Sequence, residues 1–288
     1  MKNWILAARI KTLPAAISPV LIGSALAINN GSFNEGIFLM TVLAAIFIQI
    51  GANFANDVFD FQKGSDRDDR LGPLRVTQAG LIAPEKMKQG MWFVFLLSIC
   101  IGFYLFLVGG WPIILIGLAS ILAGILYTGG PYPLGYHGWG DIFVFIFFGL
   151  IAVPGTYYLQ TGVVSVISLW LGVAMGMLSN GMLVVNNIRD FNEDKISEKK
   201  TLTVRFGIFF SKVHYSLLIL LPYYLPFHIW LQGENDLAVL MTYFSLPIAC
   251  GLSVQIFMLT GSDLNLLLNK TARLLFIYTI LFSMGLII

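Results

Sequence analysis

Charged side chains are scarce in this sequence, which limits the classes of protein it can encode. Of 288 residues, 11% are Asp, Glu, Lys or Arg, whereas 57% are hydrophobic and the mean hydropathy is +0.82. An ordinary soluble domain carries about 25% charged residues. The composition therefore excludes a soluble globular protein and indicates an integral membrane protein.

Cysteine and histidine are also rare. The two cysteines, Cys100 and Cys250, both lie in apolar segments, so we expect neither a disulfide nor a redox pair. The three histidines lie away from the acidic segments described below. A zinc or copper site, which is built from such side chains, is therefore not favoured there.

Long apolar segments fill most of the chain. A helix that spans a bilayer needs about 17–25 mostly apolar residues. Nine segments meet this requirement, and they predict spans at 12–29, 36–57, 90–108, 111–128, 141–160, 164–187, 213–231, 237–260 and 272–288. We therefore expect an all-α membrane protein of nine transmembrane helices, with residues 1–288 forming a single membrane domain.

Basic residues indicate the orientation of these spans. With nine spans, the N-terminus lies on the same side as the connections between spans 2 and 3, 4 and 5, 6 and 7, and 8 and 9. All 17 Lys and Arg residues then fall on that side. By the positive-inside rule this side is cytoplasmic, so the C-terminus lies on the opposite side. Ala25-Leu26-Ala27 also fits a signal-peptide cleavage site, but the charge division needs the first helix.

Two acidic clusters lie at the cytoplasmic ends of predicted spans. At 100° per residue, the polar residues that end the second span share an arc of about 100°; they are Asn53, Asn56, Asp57 and Asp60. Those that end the sixth span share about 80°; they are Asn186, Asp190 and Asp194. The pattern N-x3-D occurs in both, which suggests a weak internal duplication.

These clusters have two interpretations. Asn and Asp commonly cap helices and form turns, and charges at a membrane surface are often simply solvated. Carboxylates at membrane depth, however, cost about 2.5–3.5 kcal/mol each and are usually functional. Their oxygen ligands favour Mg²⁺ or Ca²⁺, and Mg²⁺ leaves coordination positions for substrate phosphate. Because bases are interleaved with the acids, the pattern predicts a site for Mg²⁺ and a diphosphate.

Several stretches resemble the UbiA superfamily of intramembrane prenyltransferases, whose fold is a bundle of nine transmembrane helices around a central cavity. "NDVFDFQKGSD" (56–66) and "NNIRDFNEDKISEKKTLTVRFG" (186–207) are similar to the two aspartate-rich motifs of that superfamily. The branch that acts on 1,4-dihydroxy-2-naphthoate is also similar at 8–27, 71–84 and 127–162. The resemblance covers about residues 8 to 207.

The resemblance implies an activity. It is the Mg²⁺-dependent transfer of a polyprenyl group from polyprenyl diphosphate to 1,4-dihydroxy-2-naphthoate, with loss of the ring carboxylate as CO₂, which gives a demethylmenaquinone of menaquinone biosynthesis. We expect the enzyme in the cell (inner or plasma) membrane with its active site facing the cytoplasm. We expect contact with the lipid bilayer, no nucleic acid and no obligate protein partner.

The resemblance also implies roles for particular residues. The expected catalytic residues are Asp57, Asp60, Asp190 and Asp194. The expected metal ligands are Asn56, Asp57, Asp60, Asp66, Asn186, Asp190 and Asp194. The expected diphosphate-binding residues are Asn53, Asn56, Arg75, Asn186, Arg189, Lys199, Arg205 and Lys11. The expected contacts of the aromatic ring or prenyl chain are Gln78, Tyr127, Tyr132 and Tyr157.

Some features of the sequence leave alternatives open. Many superfamily members continue the first motif as N-x3-D-x3-D, but Gly64 stands where that aspartate is expected and Asp66 follows two residues later. The loop "YTGGPYPLGYHGWGD" (127–141) is rich in turn residues, and Tyr132 and Tyr136 are its candidate ring-stacking groups. The rival functions are prenylation of another acceptor such as 4-hydroxybenzoate, a secondary transporter and a non-catalytic lipid-binding protein.

Overall fold

The structure is a computed structural model that describes residues 1–65, 71–233 and 237–288. Within these ranges every regular element is helical. The helices are α1 (Lys2–Ala8), α2 (Leu13–Asn29), α3 (Glu35–Gln62), α4 (Pro84–Gly109), α5 (Trp111–Leu126), α6 (Gly140–Phe145), α7 (Ala152–Thr161), α8 (Val166–Arg189), α9 (Phe191–Ile196), α10 (Leu202–Leu220), α11 (Tyr224–Leu231), α12 (Leu246–Met258) and α13 (Leu264–Ile287).

Short segments of 3₁₀-helix or π-helix, whose turns are tighter or wider than those of an α-helix, join several of these helices. The 3₁₀ segments are Ile10–Thr12, Leu221–Tyr223, Leu237–Ser245 and Gly261–Asp263, and a π-helical segment, Ile146–Ile151, joins α6 to α7. Merging the helices that run on through such turns gives eight membrane-spanning candidates among the described residues, with the 16-residue α5 as a shorter ninth apolar helix. The predicted all-α membrane fold is therefore confirmed, and each of the nine predicted spans overlaps one of these helices.

Several helices begin earlier than hydropathy predicts. The seventh span is predicted at 213–231, but its helix begins at Leu202 and bends at Gly207, which has φ 88°. Arg205 and Lys212 lie in this first part and lower its hydropathy. The third span is predicted from residue 90, but its helix, α4, begins at Pro84. The ninth span is predicted from residue 272, but its helix, α13, begins at Leu264. Helices thus extend beyond the apolar segments because polar side chains are tolerated near the membrane surface.

The π-helical segment has an identifiable cause. Pro154 lies in the first turn of α7 and has no N–H to donate, and its ring would clash with the carbonyl of Leu150 in a regular α-helix. The wider turn of Ile146–Ile151 immediately before it relieves that clash. Such π turns are frequent at functional sites, and this one supplies cavity-lining side chains.

Close packing fixes where the helix ends lie. Helix α8 is the most buried membrane helix, and it packs against the π segment through glycines. A Cβ on Gly149 would lie 2.4 Å from the carbonyl oxygen of Gly172 and 2.8 Å from Cα of Gly176. Helices α2 and α13 also pack together, since Asn29 Nδ2 donates to the carbonyl of Leu286 at 2.7 Å. The first and last membrane helices therefore close the bundle.

Candidate functional site

A large cavity lies inside the bundle. Its volume is about 620 Å³, and it is lined by Thr41 and Asp60 from opposite ends of α3. At 1.5 Å per residue these positions are about 28 Å apart along the helix, so the cavity runs through most of the membrane thickness. Phe103 and Leu118 line it although they are 62% and 49% exposed, so the cavity also reaches the lipid-facing surface.

Asp60 is at the centre of the polar end of this cavity. It is 2% exposed, and Arg75 Nη2 donates to its Oδ2 at 2.8 Å. The Tyr136 hydroxyl donates to Oδ1 at 2.9 Å. Ser65 donates to the backbone carbonyl of Asp60 and also contacts the Tyr136 hydroxyl. Asp60 therefore joins three separate stretches of chain around one carboxylate.

Asp57 is placed differently from its predicted role. Its Oδ1 accepts the backbone N–H of Thr77 at 2.8 Å and its Oδ2 accepts that of Val76 at 3.1 Å. Within the described ranges it is not among the cavity-lining residues, and it is 1% exposed. Because Val76 follows Arg75, Asp57 fixes the segment that carries the arginine. Its position argues against the predicted role as a metal ligand and catalytic residue.

Asn53 and Asn56 both line the cavity. Asn53 Nδ2 donates to the carbonyl of Ala8 at 2.9 Å and to the hydroxyl of Thr12 at 3.0 Å, so it anchors the first membrane helix to α3. Asn56 Oδ1 accepts a bond from the Thr128 hydroxyl at 3.0 Å, and that bond ties the 127–141 loop to α3. Asn53 and Asn56 therefore both line the cavity and hold neighbouring segments against α3.

The second acidic cluster lines the same cavity. Asp190 follows the last residue of α8, and the guanidinium of Arg189 contacts it twice, Nε to Oδ1 at 2.6 Å and Nη2 to Oδ2 at 2.7 Å. Arg189 Nη1 donates to Asn265 Oδ1 of α13 at 2.8 Å. The guanidinium predicted to bind diphosphate is thus oriented by protein groups, and Asp190 has an adjacent positive charge.

Asp194 and Asn186 complete this side of the cavity. Asp194 is 6% exposed and lies 3.7 Å from Lys199 Nζ. Burial raises the pKa of the Asp194 carboxyl to about 7 because the charged form loses its hydration; Lys199 opposes this shift, while Asp190 and Asp60 add to it. A bound cation would favour the ionised carboxylate. Asn186 and Lys199 line the cavity beside it.

Other segments of the chain connect the two clusters. The backbone N–H of Leu71 donates to Glu193 Oε1 at 2.9 Å. The backbone carbonyl of Leu71 accepts a hydrogen bond from Asn265 Nδ2 at 2.8 Å. Tyr136 supplies a second connection, because Lys63 Nζ and Lys199 Nζ lie 4.8 and 4.6 Å from the centre of its ring. The acid-bearing ends of α3 and α8 therefore meet at one end of one cavity.

Some predicted residues lie elsewhere. Among the residues that the structure describes, those absent from the cavity lining, besides Asp57, are Lys11, Gln78, Tyr132, Tyr157 and Arg205. Arg205 Nη2 instead donates to the carbonyl of His137 at 2.7 Å, and Tyr132 stacks on the His137 ring at 3.6 Å. Both therefore shape the 127–141 loop. Asp66, a predicted metal ligand, lies outside the described residues.

Tyr157 is far from the acids. Its hydroxyl accepts a hydrogen bond from Nδ2 of Asn30, which follows the end of α2 that is remote from Thr12. Tyr157 also lies 16 residues after Asp141 along the continuous α6–α7 span. That separation is about 24 Å along the helix. Tyr157 therefore lies away from the acids and outside the cavity lining, and its expected contact with the aromatic ring or prenyl chain stays a prediction. Tyr127, by contrast, does line the cavity.

Sequence reasoning missed several cavity residues. Arg9 lines the cavity in a left-handed conformation with φ 50°, and its Nη2 lies 3.9 Å from Asp57 Oδ2. Asp141 lines it at the start of α6, and Tyr136 was considered only for stacking on a ring. Asp141 gave a usable signal, since an acid at the edge of an apolar span is a candidate functional residue. Nothing in the local sequence predicts the conformation of Arg9.

The described residues do not contain a preformed cage for a metal. No three His, Cys, Asp or Glu side chains within the described ranges converge on one point. The oxygen donors at the head of the cavity are instead distributed between α3 and the α8–α9 turn. Beyond them the walls are largely apolar. The fold and the site thus define a multi-pass membrane protein with an internal site for a substrate that has an anionic head and a long apolar tail.

The chain belongs to the UbiA prenyltransferase family, whose sequence profile matches residues 16–285. Relatives support the assignment. The chain is 35% identical to 1,4-dihydroxy-2-naphthoate octaprenyltransferase of Haemophilus influenzae, over 100% of this chain and 96% of the relative. It is 37% identical to the protein of the same name from Escherichia coli, over 75% of this chain and 72% of that one.

A solved structure shares the fold. A UbiA homologue from Archaeoglobus fulgidus bound to GPP and Mg²⁺ superposes with a TM-score of 0.71, covering 99% of each chain at 14% identity. At this level of identity the likeness shows the fold alone. The family match and the relatives confirm the predicted family and its prenyltransferase class.

Proposed function

We propose that the protein transfers a polyprenyl group from polyprenyl diphosphate to 1,4-dihydroxy-2-naphthoate and releases CO₂ and diphosphate, which gives the quinol form of a demethylmenaquinone. The observation that carries the donor half of this proposal is the cavity, with acids and bases at one end and about 28 Å of largely apolar wall beyond them. The proposed acceptor is supported by two relatives, at 35% and 37% identity, that are named 1,4-dihydroxy-2-naphthoate octaprenyltransferase.

The head of the cavity suits a diphosphate with a divalent ion. Mg²⁺ typically takes one or two carboxylates and leaves its other positions to water and phosphate, so a site without a preformed cage fits it. The oxygen donors that would hold Mg²⁺ are Asn56, Asp60, Asn186, Asp190 and Asp194. When bound, the ion neutralises the departing diphosphate. Asp57 is left out of this set because, within the described ranges, it does not line the cavity and instead holds the backbone N–H groups of Val76 and Thr77.

Basic and hydroxyl groups position the diphosphate. Arg75, held by Asp60, and Lys199, held near Asp194, both line the cavity and supply positive charge where the leaving group accumulates negative charge. Tyr136 fixes the geometry of this set, because its hydroxyl contacts Asp60 and its ring contacts Lys199. The chain therefore orients the head group with side chains that are themselves held in place.

The rest of the cavity suits the prenyl chain and the transfer step. The allylic C–O bond breaks and its electron pair leaves with the diphosphate. A carbon of the acceptor ring forms the new C–C bond, and the carboxylate leaves as CO₂ and returns its electron pair to the ring. Aromatic side chains near the head, including Tyr127 and Phe143, exclude water and present π faces to the allylic cation.

We place the polar end of the cavity at the cytoplasmic face of the cell membrane. The support is the division of all 17 Lys and Arg residues to that side of the nine spans. A secondary transporter is less well supported, because the acids lie at the ends of α3 and α8 instead of at mid-membrane.

A transfer assay tests the proposal. Membranes that contain the protein are incubated with radiolabelled polyprenyl diphosphate, 1,4-dihydroxy-2-naphthoate and Mg²⁺. The organic phase is examined for a labelled naphthoquinol and for the naphthoquinone that forms from it in air. We expect product with the wild type and none with Asp60→Asn at equal protein level. Parallel incubation with 4-hydroxybenzoate tests the other acceptor. Labelled product from hydroxybenzoate but not from the naphthoate would contradict the proposed acceptor.

A further inference from the structure

Asp141 is a buried acid that the site described above does not use. It lies in the first turn of α6, is 6% exposed and lines the cavity. Within the described ranges its Oδ1 has no hydrogen-bond partner. A buried acceptor without a donor destabilises the fold, and more so when it is charged. A side chain kept in this state at a cavity wall is suited to pairing with a ligand.

The surroundings of Asp141 favour a flat ligand. The Tyr127 hydroxyl lies against the preceding residue, since a Cβ on Gly140 would be 2.8 Å from it and 3.4 Å from Leu183 Cδ2. Gly135 lies against the same ring, with 3.0 Å between its hypothetical Cβ and Tyr127 Cε1. Together with Phe143, these side chains give the cavity wall beside Asp141 an aromatic and apolar character.

The chemistry of the proposed reactants identifies the ligand. A polyprenyl chain has no hydrogen-bond donor, and a diphosphate is an anion that a carboxylate repels. The aromatic acceptor has ring hydroxyls, which donate. We propose that Asp141 accepts a hydrogen bond from a ring hydroxyl of the acceptor, in a subsite walled by Tyr127; this inference rests on the proposed function. The hydrogen bond orients the ring and increases its electron density, which favours attack on the allylic cation.

Analogues that lack one hydroxyl test the contact. The dissociation constants of 1,4-dihydroxy-2-naphthoate, 1-hydroxy-2-naphthoate and 4-hydroxy-2-naphthoate are measured with the wild type. We expect removal of one of the two hydroxyls to weaken binding about 10-fold to 100-fold, the range for a hydrogen bond to a charged group. Equal binding of all three compounds by the wild type overturns the inference without any variant.

The variant Asp141→Asn then identifies the protein partner. We expect it to lose most of the discrimination against the hydroxyl-deleted analogue and to raise KM for the naphthoate about 10-fold. KM for polyprenyl diphosphate and the Mg²⁺ requirement stay near the wild-type values. Discrimination as large as that of the wild type overturns the inference, and so does a parallel rise in both KM values.

A control separates this contact from general effects of buried polar groups. Ser283 of α13 is also buried, and its Oγ has no hydrogen-bond partner within the described ranges, but it does not line the cavity. Ser283→Ala should leave the analogue discrimination unchanged, and an altered discrimination counts against the subsite. If the wild type makes no quinone and binds no naphthoate, the proposed function falls together with this inference. If it makes quinone while Asp141→Asn discriminates normally, only the inference falls.

Discussion

At the scale of single residues, Asp57 and Asp60 lie one helical turn apart but make different contacts. Asp57 accepts two backbone N–H groups, whereas Asp60 contacts an arginine and a tyrosine at the head of the cavity. The sequence pattern treats them alike because both lie on the same face of α3. Only the position of the 71–80 segment distinguishes them, and that position depends on long-range contacts.

Exchange of each aspartate for asparagine distinguishes these roles. Asp57→Asn replaces an acceptor by an amide NH₂ that faces a backbone donor, which costs about 1–3 kcal/mol of folding free energy. We expect a lower thermal midpoint in detergent and a partial loss of activity. Asp60→Asn should abolish activity, and loss of the buried ion pair with Arg75 lowers the midpoint as well. Greater residual activity in Asp60→Asn than in Asp57→Asn contradicts these assignments.

Tyr136 is predicted to act through its hydroxyl as well as its ring. Tyr136→Phe removes the bond to Asp60 but keeps the ring between Lys63 and Lys199. We expect kcat/KM for polyprenyl diphosphate to fall about 10-fold, the value of one hydrogen bond to a charged group. Steady-state kinetics at saturating naphthoate measure this fall. An unchanged kcat/KM would show that the hydroxyl has no part in holding Asp60.

Helical periodicity predicts which face of a helix a residue lies on, but not always which residues reach the cavity. Asp60, Asn186, Asp190 and Asp194 were identified from spacing and line one cavity, whereas Asp57 does not; their roles stay predictions. Arg205 and Tyr132 were placed there by sequence proximity, but they stabilise the 127–141 loop. Loop geometry depends on contacts with distant segments, and one sequence carries little information about such contacts.

At the scale of elements, the position of the α8 end depends on close helix packing. Gly149 of the π segment contacts the backbone of α8, where a Cβ would lie 2.4 Å from the carbonyl oxygen of Gly172. Backbone atoms cannot move aside as a flexible side chain can. Any residue larger than glycine at this position therefore separates the two helices and displaces the end of α8 that carries Asn186 and Asp190.

Gly149→Ala tests this packing. We expect overpacking to cost about 1–3 kcal/mol of folding free energy and to lower activity with the shift of α8. The control is Gly251→Ala in α12, where the nearest atom to an added Cβ is Gln255 Nε2 at 4.0 Å. That control should be neutral or stabilising by up to about 1 kcal/mol, as for alanine in a helix interior. Equal thermal midpoints for both variants contradict the proposed contact.

The elements were predicted more reliably than their boundaries. Within the described ranges each of the nine apolar segments overlaps a membrane helix, because a bilayer requires both length and apolarity. The π segment at Ile146–Ile151 and the bend at Gly207 were not predicted. Both arise from competition between local backbone geometry and packing, which a hydropathy average does not contain.

At the scale of the whole molecule, the charge distribution predicts the orientation of the site. Val164 lies in the connection opposite the acids and is 56% exposed, and Ser262 is exposed in a connection on the proposed cytoplasmic side. In a chain with Cys100 and Cys250 replaced by alanine, a membrane-impermeant thiol reagent should label Val164→Cys in intact cells. Ser262→Cys should react only after permeabilisation. The opposite labelling pattern would reverse the assigned orientation.

We propose that the ends of α3 and α8 together hold one divalent ion site and a diphosphate. Electron paramagnetic resonance of purified protein with Mn²⁺ in place of Mg²⁺ and an unreactive polyprenyl thiodiphosphate measures this directly. We predict coupling between Mn²⁺ and ³¹P in the wild type, and Mn²⁺ binding at least about 10-fold weaker in Asp60→Asn and in Asp190→Asn separately. Wild-type Mn²⁺ affinity in either variant, or no coupling to phosphorus, would contradict the account.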